Sequence, residues 1–157
     1  MQLFGFEGDF ADSLEFIPMV VRFKLDRCGI KLSLPQWSRL THQERAKLVA
    51  QPCDKPDEVQ IYRTALVGMI AADASETITE IQIDTAPAWK DAGEVPESLI
   101  RYARSLAMAP PSSIQWAALT PLQRFTLLKL SREGHENRNF LPAMREFGLV
   151  ESRDDTI

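Results

Sequence analysis

Glycine, histidine, cysteine and basic charge are all scarce in this chain, and each shortage removes a class of function. Seven glycines in 157 residues leave little from which to build a phosphate cradle. No Gly-rich loop, nucleophile elbow or H-E-x-x-H motif is present, so no cofactor and no catalytic residue is expected. Two cysteines, Cys28 and Cys53, do not make a disulfide framework. With His42 and His135 they are the soft or borderline ligands of the chain, and no pair has a C-x-x-C, C-x-x-H or H-x-x-x-H spacing. A metal site would need all four to converge, so the cysteines read as small buried apolar residues. Asp9, Asp12 and Glu15 lack the glycine and the spacing of a calcium loop.

The formal net charge is −4, and no basic patch stands out to collect phosphates, which argues against a nucleic-acid partner or an anionic membrane surface. No apolar run approaches the roughly 20 residues needed to span a bilayer. Met1-Gln2-Leu3-Phe4 has neither the basic region nor the apolar stretch of a signal peptide. A cytoplasmic location is the expectation.

What the chain does contain is an internal echo. At an offset of 79 positions, the spacing between Trp37 and Trp116, Arg22 falls on Arg101, Ser33 on Ser112 and Gln36 on Gln115. In the same frame Leu40, Thr41, Arg45 and Leu48 fall on Leu119, Thr120, Arg124 and Leu127, all without a gap. The pattern reads as two copies of one helical unit, each too small to bury its own apolar face. Two copies do not make a solenoid. The expected fold is therefore all-α: a single compact domain over 1–157 with pseudo-symmetric repeats at about 17–72 and 96–149. An irregular connector spans 73–95 and a tail spans 150–157.

Local signals place the helices. Phe4, Phe6, Phe10 and Phe16 lie among acids in a segment that reads as an extended arm pinning its rings onto the domain. Pro18 suits a helix start, Ile17, Val21, Leu25 and Cys28 recur at helical spacing, and Gly29 is a natural stop. Ser33-Leu34-Pro35-Gln36, Thr41-His42-Gln43-Glu44, Ser112-Ser113-Ile114-Gln115 and Thr120-Pro121-Leu122-Gln123 are four capping boxes. Asp54 or Asp57 is available to start the next helix, whose stripe is Val59, Tyr62, Leu66, Met69 and Ile70. Ile78, Ile81 and Ile83 suit a short extended piece. Phe140, Met144 and Phe147 share one side of a last helix closed by Gly148.

The densest polar cluster runs from Ser131 to Asn139 and contains His135, the side chain type most readily tuned near neutral pH. It reads either as a recognition or catalytic loop or as a solvated interhelix loop in which Asn137 or Asn139 caps the last helix. Trp37 and Trp116, at the same point of both copies, read as packing anchors. The matched arginines, Arg22 with Arg101 and Arg45 with Arg124, suit paired structural ion bridges or a pseudo-symmetric anion-binding or docking surface.

The run Ser13-Leu14, Ile17-Pro18-Met19-Val20-Val21-Arg22-Phe23-Lys24-Leu25-Asp26 and Cys28-Gly29-Ile30-Lys31-Leu32 resembles the start of the nitrate reductase-associated proteins. So do Leu119-Thr120-Pro121-Leu122-Gln123-Arg124-Phe125, Lys129-Leu130-Ser131-Arg132, His135-Glu136-Asn137 and Asn139-Phe140-Leu141-Pro142. The likeness runs from about Phe4 to Leu149, weakest over 73–95. Ala109-Pro110-Pro111-Ser112-Ser113 departs from it in being unusually rich in proline. The resemblance implies a small cytoplasmic accessory protein of assimilatory nitrate reduction, in a family at least some of whose members look like maturation factors for nitrate reductase, an enzyme holding molybdenum cofactor and iron–sulfur clusters. It carries over no catalytic residue.

Two functions follow from this reading. The first is a non-enzymatic factor that assists maturation or activity of nitrate reductase by protein–protein contact. Its expected surface is Arg132, His135, Glu136, Asn137 and Arg138, with Arg22, Lys24 and Asp26 as a second patch. The alternative is a small-molecule or anion-binding module, or an enzyme on a cofactor precursor or nitrogen oxyanion, with a pocket lined by Arg45 and Arg124. The sequence leaves the oligomeric state open.

Overall fold

A computed structural model describes residues 3–8, 14–73, 76–132 and 138–150. The chain divides into two compact units, residues 1–85 and 86–157, so that one expected repeat falls in each. The described residues are mostly helical, with a single two-stranded ribbon among them.

In the first unit, the leading segment departs from an extended arm. Gly5–Glu7 forms a 3-10 turn, the rings of Phe4 and Phe6 stack with centroids 5.3 Å apart, and Phe16 leaves about half its surface exposed. The Glu7 carboxylate turns to α1 (Met19–Cys28) and accepts the Met19 N–H at 3.0 Å. It thereby caps a helix whose own N-cap, Pro18, has no side-chain acceptor. Val20, Val21, Leu25 and Cys28 form the buried face of α1, and Gly29, at φ 71°, ends it in the left-handed conformation.

Gly29 is required here for a second reason. A Cβ on it would lie 2.8 Å from Ile83 Cγ1 and 3.0 Å from the Ile81 carbonyl oxygen. The chain passes this close because β1 (Ile30–Lys31) pairs antiparallel with β2 (Thr79–Glu80), Ile30 opposite Glu80 and Lys31 opposite Thr79. Its second strand lies inside the expected connector, where Ile78, Ile81 and Ile83 suggest a short extended piece, so 73–95 is not irregular throughout. Arg63 ties it down, with Nη1 donating to the Cys28 carbonyl at 2.8 Å and Nη2 to Glu80 at 2.5 Å.

Helices α2 (Leu34–Arg39) and α3 (His42–Ala50) start at the capping boxes of Ser33 and Thr41. The hydroxyls accept the Gln36 and Glu44 N–H groups at 3.2 and 3.0 Å, and those side chains accept the Ser33 and Thr41 N–H groups in return. Helix α4 (Pro56–Ala71) is capped neither by Asp54 nor by Asp57. Pro56 occupies its first position, and Glu58 reaches back to accept the N–H groups of Lys55 and Asp54 at 2.8 and 3.2 Å. Tyr62, Leu66 and Ile70 of α4 join Trp37, Leu48 and Val21 in the core. Each full burial of such a side chain contributes roughly 1.5–3 kcal/mol.

The second unit opens with a 3-10 turn at Ala88–Lys90, followed by α5 (Glu97–Ser105). The Met108 N–H returns to the Ala103 carbonyl at 2.9 Å and the Ala107 N–H to Arg104 at 3.0 Å. That is a Schellman ending with Ala107 at φ 57° in the position glycine prefers. Helices α6 (Ser113–Ala118) and α7 (Pro121–Leu130) begin at the Ser112 and Thr120 capping boxes. Helix α8 (Phe140–Glu146) buries Phe140, Ala143 and Met144, and Gly148, at φ 74°, follows it. The Tyr102 ring meets Phe140 edge-on at 4.9 Å.

Candidate functional site

Helices α7 and α8 bracket the polar loop. Ser131 is buried and donates its hydroxyl to the Leu128 carbonyl at 2.9 Å, so the loop starts as a continuation of α7 rather than as open surface. Arg132 and Arg138 are exposed at the two ends of the described part. His135, Glu136 and Asn137 lie outside the described residues. Asn139 holds the N-cap position of α8, but its side chain makes no capping bond among the described residues.

The second patch is partly occupied by structural work. Arg22 is half-buried and its Nε donates to the Ile17 carbonyl at 3.1 Å. Burial pushes its pKa down, against the opposing pull of Glu7 and Asp26. Lys24 lays its ammonium between the carbonyls of Val49 and Gln51, 2.7 Å from each, and 5.6 Å from the centre of the Tyr62 ring. A cation at the carboxyl end of α3 complements the helix dipole. Burial lowers the Lys24 pKa as well. Asp26 is half-buried on the same helix.

The arginines considered for an anion pocket turn donors to backbone carbonyls within their own units, although Arg45 Nε is buried without a partner among the described residues. Arg45 Nη1 donates to the Leu14 carbonyl at 2.9 Å, an acceptor it shares with the Trp37 indole N–H at 2.8 Å. Arg124 is 6% exposed and donates from Nε to the Trp89 carbonyl at 2.7 Å and from Nη1 to Leu119 at 2.6 Å. The Trp116 indole donates to the Asp91 carbonyl at 2.8 Å. Both tryptophans are fully buried, in keeping with packing anchors.

Two features escaped the sequence reading. Cys28 and Cys53 are buried side by side, their sulfurs 3.8 Å apart. Both were expected inside, but residues 25 positions apart give no local sign that they meet. Between α3 and α4 lies an open groove of about 490 Å³ lined by Lys47, Ala50, Gln51, Ile61 and Ala65. Ile61 is 60% exposed on it, and Gln51 Oε1 is buried there without a partner among the described residues. No helix among the described residues is long and apolar enough to cross a membrane, and no cluster of three or more metal-ligating side chains occurs among them.

No curated protein and no solved structure matches the chain. A family model does, that of the conserved nitrate reductase-associated proteins, and it covers residues 3–147, nearly the whole of both units. On that match the chain belongs to the nitrate reductase-associated protein family.

Proposed function

We propose that this protein is a cytoplasmic, non-enzymatic accessory factor that assists maturation or activity of assimilatory nitrate reductase by protein–protein contact. The observation that carries the reading is the family match over residues 3–147. The side chains expected to line an anion pocket support it too, because Arg45 and Arg124 donate to backbone carbonyls. The contact surface in this proposal is the Ser131–Asn139 loop, with Arg132, His135, Glu136, Asn137 and Arg138 as its recognition residues. The unburied parts of Arg22, Lys24 and Asp26 form the second patch.

The two units are, in the same proposal, copies of one plan. In each, a capped short helix carries a buried tryptophan and a capped longer helix carries an arginine. Both side chains donate to carbonyls of the segment leading into that unit's first helix. The arrangement supports a duplicated origin for residues 17–72 and 96–149.

Affinity capture of the tagged protein from cells growing on nitrate tests the function. Recovery of nitrate reductase, enriched in its cofactor-poor form, is expected. A folded bait that fails to recover an expressed reductase would overturn the proposal.

A further inference from the structure

The geometry points to Cys28 and Cys53 as a redox-active dithiol that closes to an intramolecular disulfide without unfolding the first unit. Cys28 ends α1, and Cys53 sits in the turn between α3 and α4. Their sulfurs are 3.8 Å apart, and a disulfide needs about 2.05 Å. The sulfurs already touch, within reach of a weak thiol hydrogen bond, so the closing atoms are neighbours in the folded first unit. They are the only two cysteines of the chain, so any internal disulfide joins this pair.

The surroundings assign different roles to the two sulfurs. The Cys53 turn is clamped on both sides by cations of α1. Lys24 holds the Gln51 carbonyl just before it. Arg27 holds Asp54 just after it, through Nη1 to the carboxylate at 3.1 Å and Nη2 to the carbonyl at 2.7 Å. Glu58 is the nearby opposing charge, and Tyr62, with its hydroxyl on the Leu48 carbonyl, is the neutral neighbour. The Cys28 hydrogen bond, with Arg27 and Lys24, holds the Cys53 thiol below its usual pKa against burial and Glu58. Cys28 is held well above it, first by that shared hydrogen bond and then by burial, against the pull of Arg63 and Arg27. A lowered pKa marks the attacking thiol.

Cys53 is also nearer to solvent. It is 5% exposed against 2% for Cys28, and it lies in a turn whose Pro52 and Asp54 are exposed. Opening that turn requires release of the Arg27–Asp54 pair, in which the Asp54 side chain is 87% exposed. Surface pairs of that kind hold weakly.

The co-reactant is a small-molecule disulfide such as oxidised glutathione. The Cys53 thiolate attacks one of its sulfurs, forming a mixed disulfide and expelling one thiolate. Cys28 gives up its proton and attacks the Cys53 sulfur, expelling the second thiolate, which takes that proton. Two protein thiols are oxidised and one external disulfide is reduced to two thiols.

The test incubates the full-length native protein with mixtures of reduced and oxidised glutathione, then alkylates remaining thiols and weighs the protein. The expected product has lost both alkylatable thiols together and the mass of two hydrogen atoms. It forms at a lower oxidised fraction than in the urea-unfolded chain. Cys28→Ala, checked for native circular dichroism, is expected to accumulate a glutathionyl adduct on Cys53. Cys53→Ala is expected to leave Cys28 unmodified. Native protein that keeps both thiols, that oxidises only when unfolded, or that forms intermolecular disulfides overturns the assignment. So does an adduct on Cys28.

Discussion

Trp37 and Arg45 donate to one and the same acceptor, the carbonyl oxygen of Leu14, at 2.8 and 2.9 Å. Leu14 itself sits at φ 56° and is buried, a backbone conformation that costs a non-glycine residue roughly 1–2 kcal/mol. The two donors over-determine that conformation and so offset its cost. They also lock the lead segment onto α2 and α3.

A shared acceptor makes the two donors interdependent. Each single variant leaves the carbonyl with one partner. Trp37→Phe is expected to cost about 1 kcal/mol for the lost bond, plus the cavity its smaller ring leaves. Arg45→Met is expected to cost roughly 1.5–3 kcal/mol for a charged donor. The double variant strands a buried carbonyl and is expected to lose about 1–3 kcal/mol beyond the sum of the singles. Urea unfolding of the four proteins of the cycle measures this. Simple additivity would show that the bonds act separately.

At Ala107 the chain offers a stabilising change. Its φ of 57° closes a Schellman ending, and glycine relieves about 1–2 kcal/mol of strain there. The freer unfolded chain of the glycine variant returns about 0.4–1 kcal/mol of that. Ala107→Gly is therefore expected to raise stability by about 0.5–1 kcal/mol. An unchanged or lower urea midpoint would contradict the ending described for α5.

Gly29→Ala is expected to act in the opposite direction. The substitution forces a Cβ against Ile83 and the Ile81 carbonyl at a positive φ, so both strain and overlap oppose it. A loss of more than about 1 kcal/mol is expected, with faster amide exchange at Ile81, whose N–H donates to the Gly29 carbonyl at 2.9 Å. Normal exchange at Ile81 in a folded variant would mean that the ribbon tolerates the side chain.

The Tyr62 hydroxyl donates to the Leu48 carbonyl at 2.7 Å. Burial, with lesser contributions from Cys53 and Cys28, pushes its pKa well above the ordinary 10.0. Above pH 10 the unfolded chain releases this proton while the folded chain keeps it, so the unfolded state binds fewer protons and stability falls as pH rises. The Tyr62 share of that slope approaches about 1.4 kcal/mol per pH unit. Tyr62→Phe is expected to flatten the alkaline limb of stability against pH. Identical slopes in the two proteins would place the titration elsewhere.

For the proposed function, replacing His135 and Asn137 together by alanine is expected to lower nitrate reductase activity in cells while leaving the urea midpoint unchanged. A parallel fall in stability would remove the loop from the contact surface.

The features legible in the sequence are those whose physics is local. Ser33, Thr41, Ser112 and Thr120 each meet a Gln or Glu three residues on, and that spacing alone sets a helix start. Glu58 is equally local, yet it caps α4 by reaching back past Pro56 to Lys55 and Asp54, a route that the nearby aspartates disguise. Glu7 caps α1 across 12 residues, and β1 meets β2 across about fifty positions. No window on the sequence spans either. Matched arginines announce themselves by their repetition, but only coordinates show that Arg45 and Arg124 turn to carbonyls. The Ser131–Asn139 stretch stands out by composition, which says nothing of its geometry.

Trp37 and Trp116 bury their rings completely, one in each unit, and this gives the molecule two internal lamps. A variant that keeps only one of them as its fluorophore, with Trp89 and the other replaced by phenylalanine, glows from one unit alone. Comparing each variant's fluorescence melt with its own far-ultraviolet circular dichroism melt then reads out whether heat dissolves both halves in one concerted event or releases them in turn.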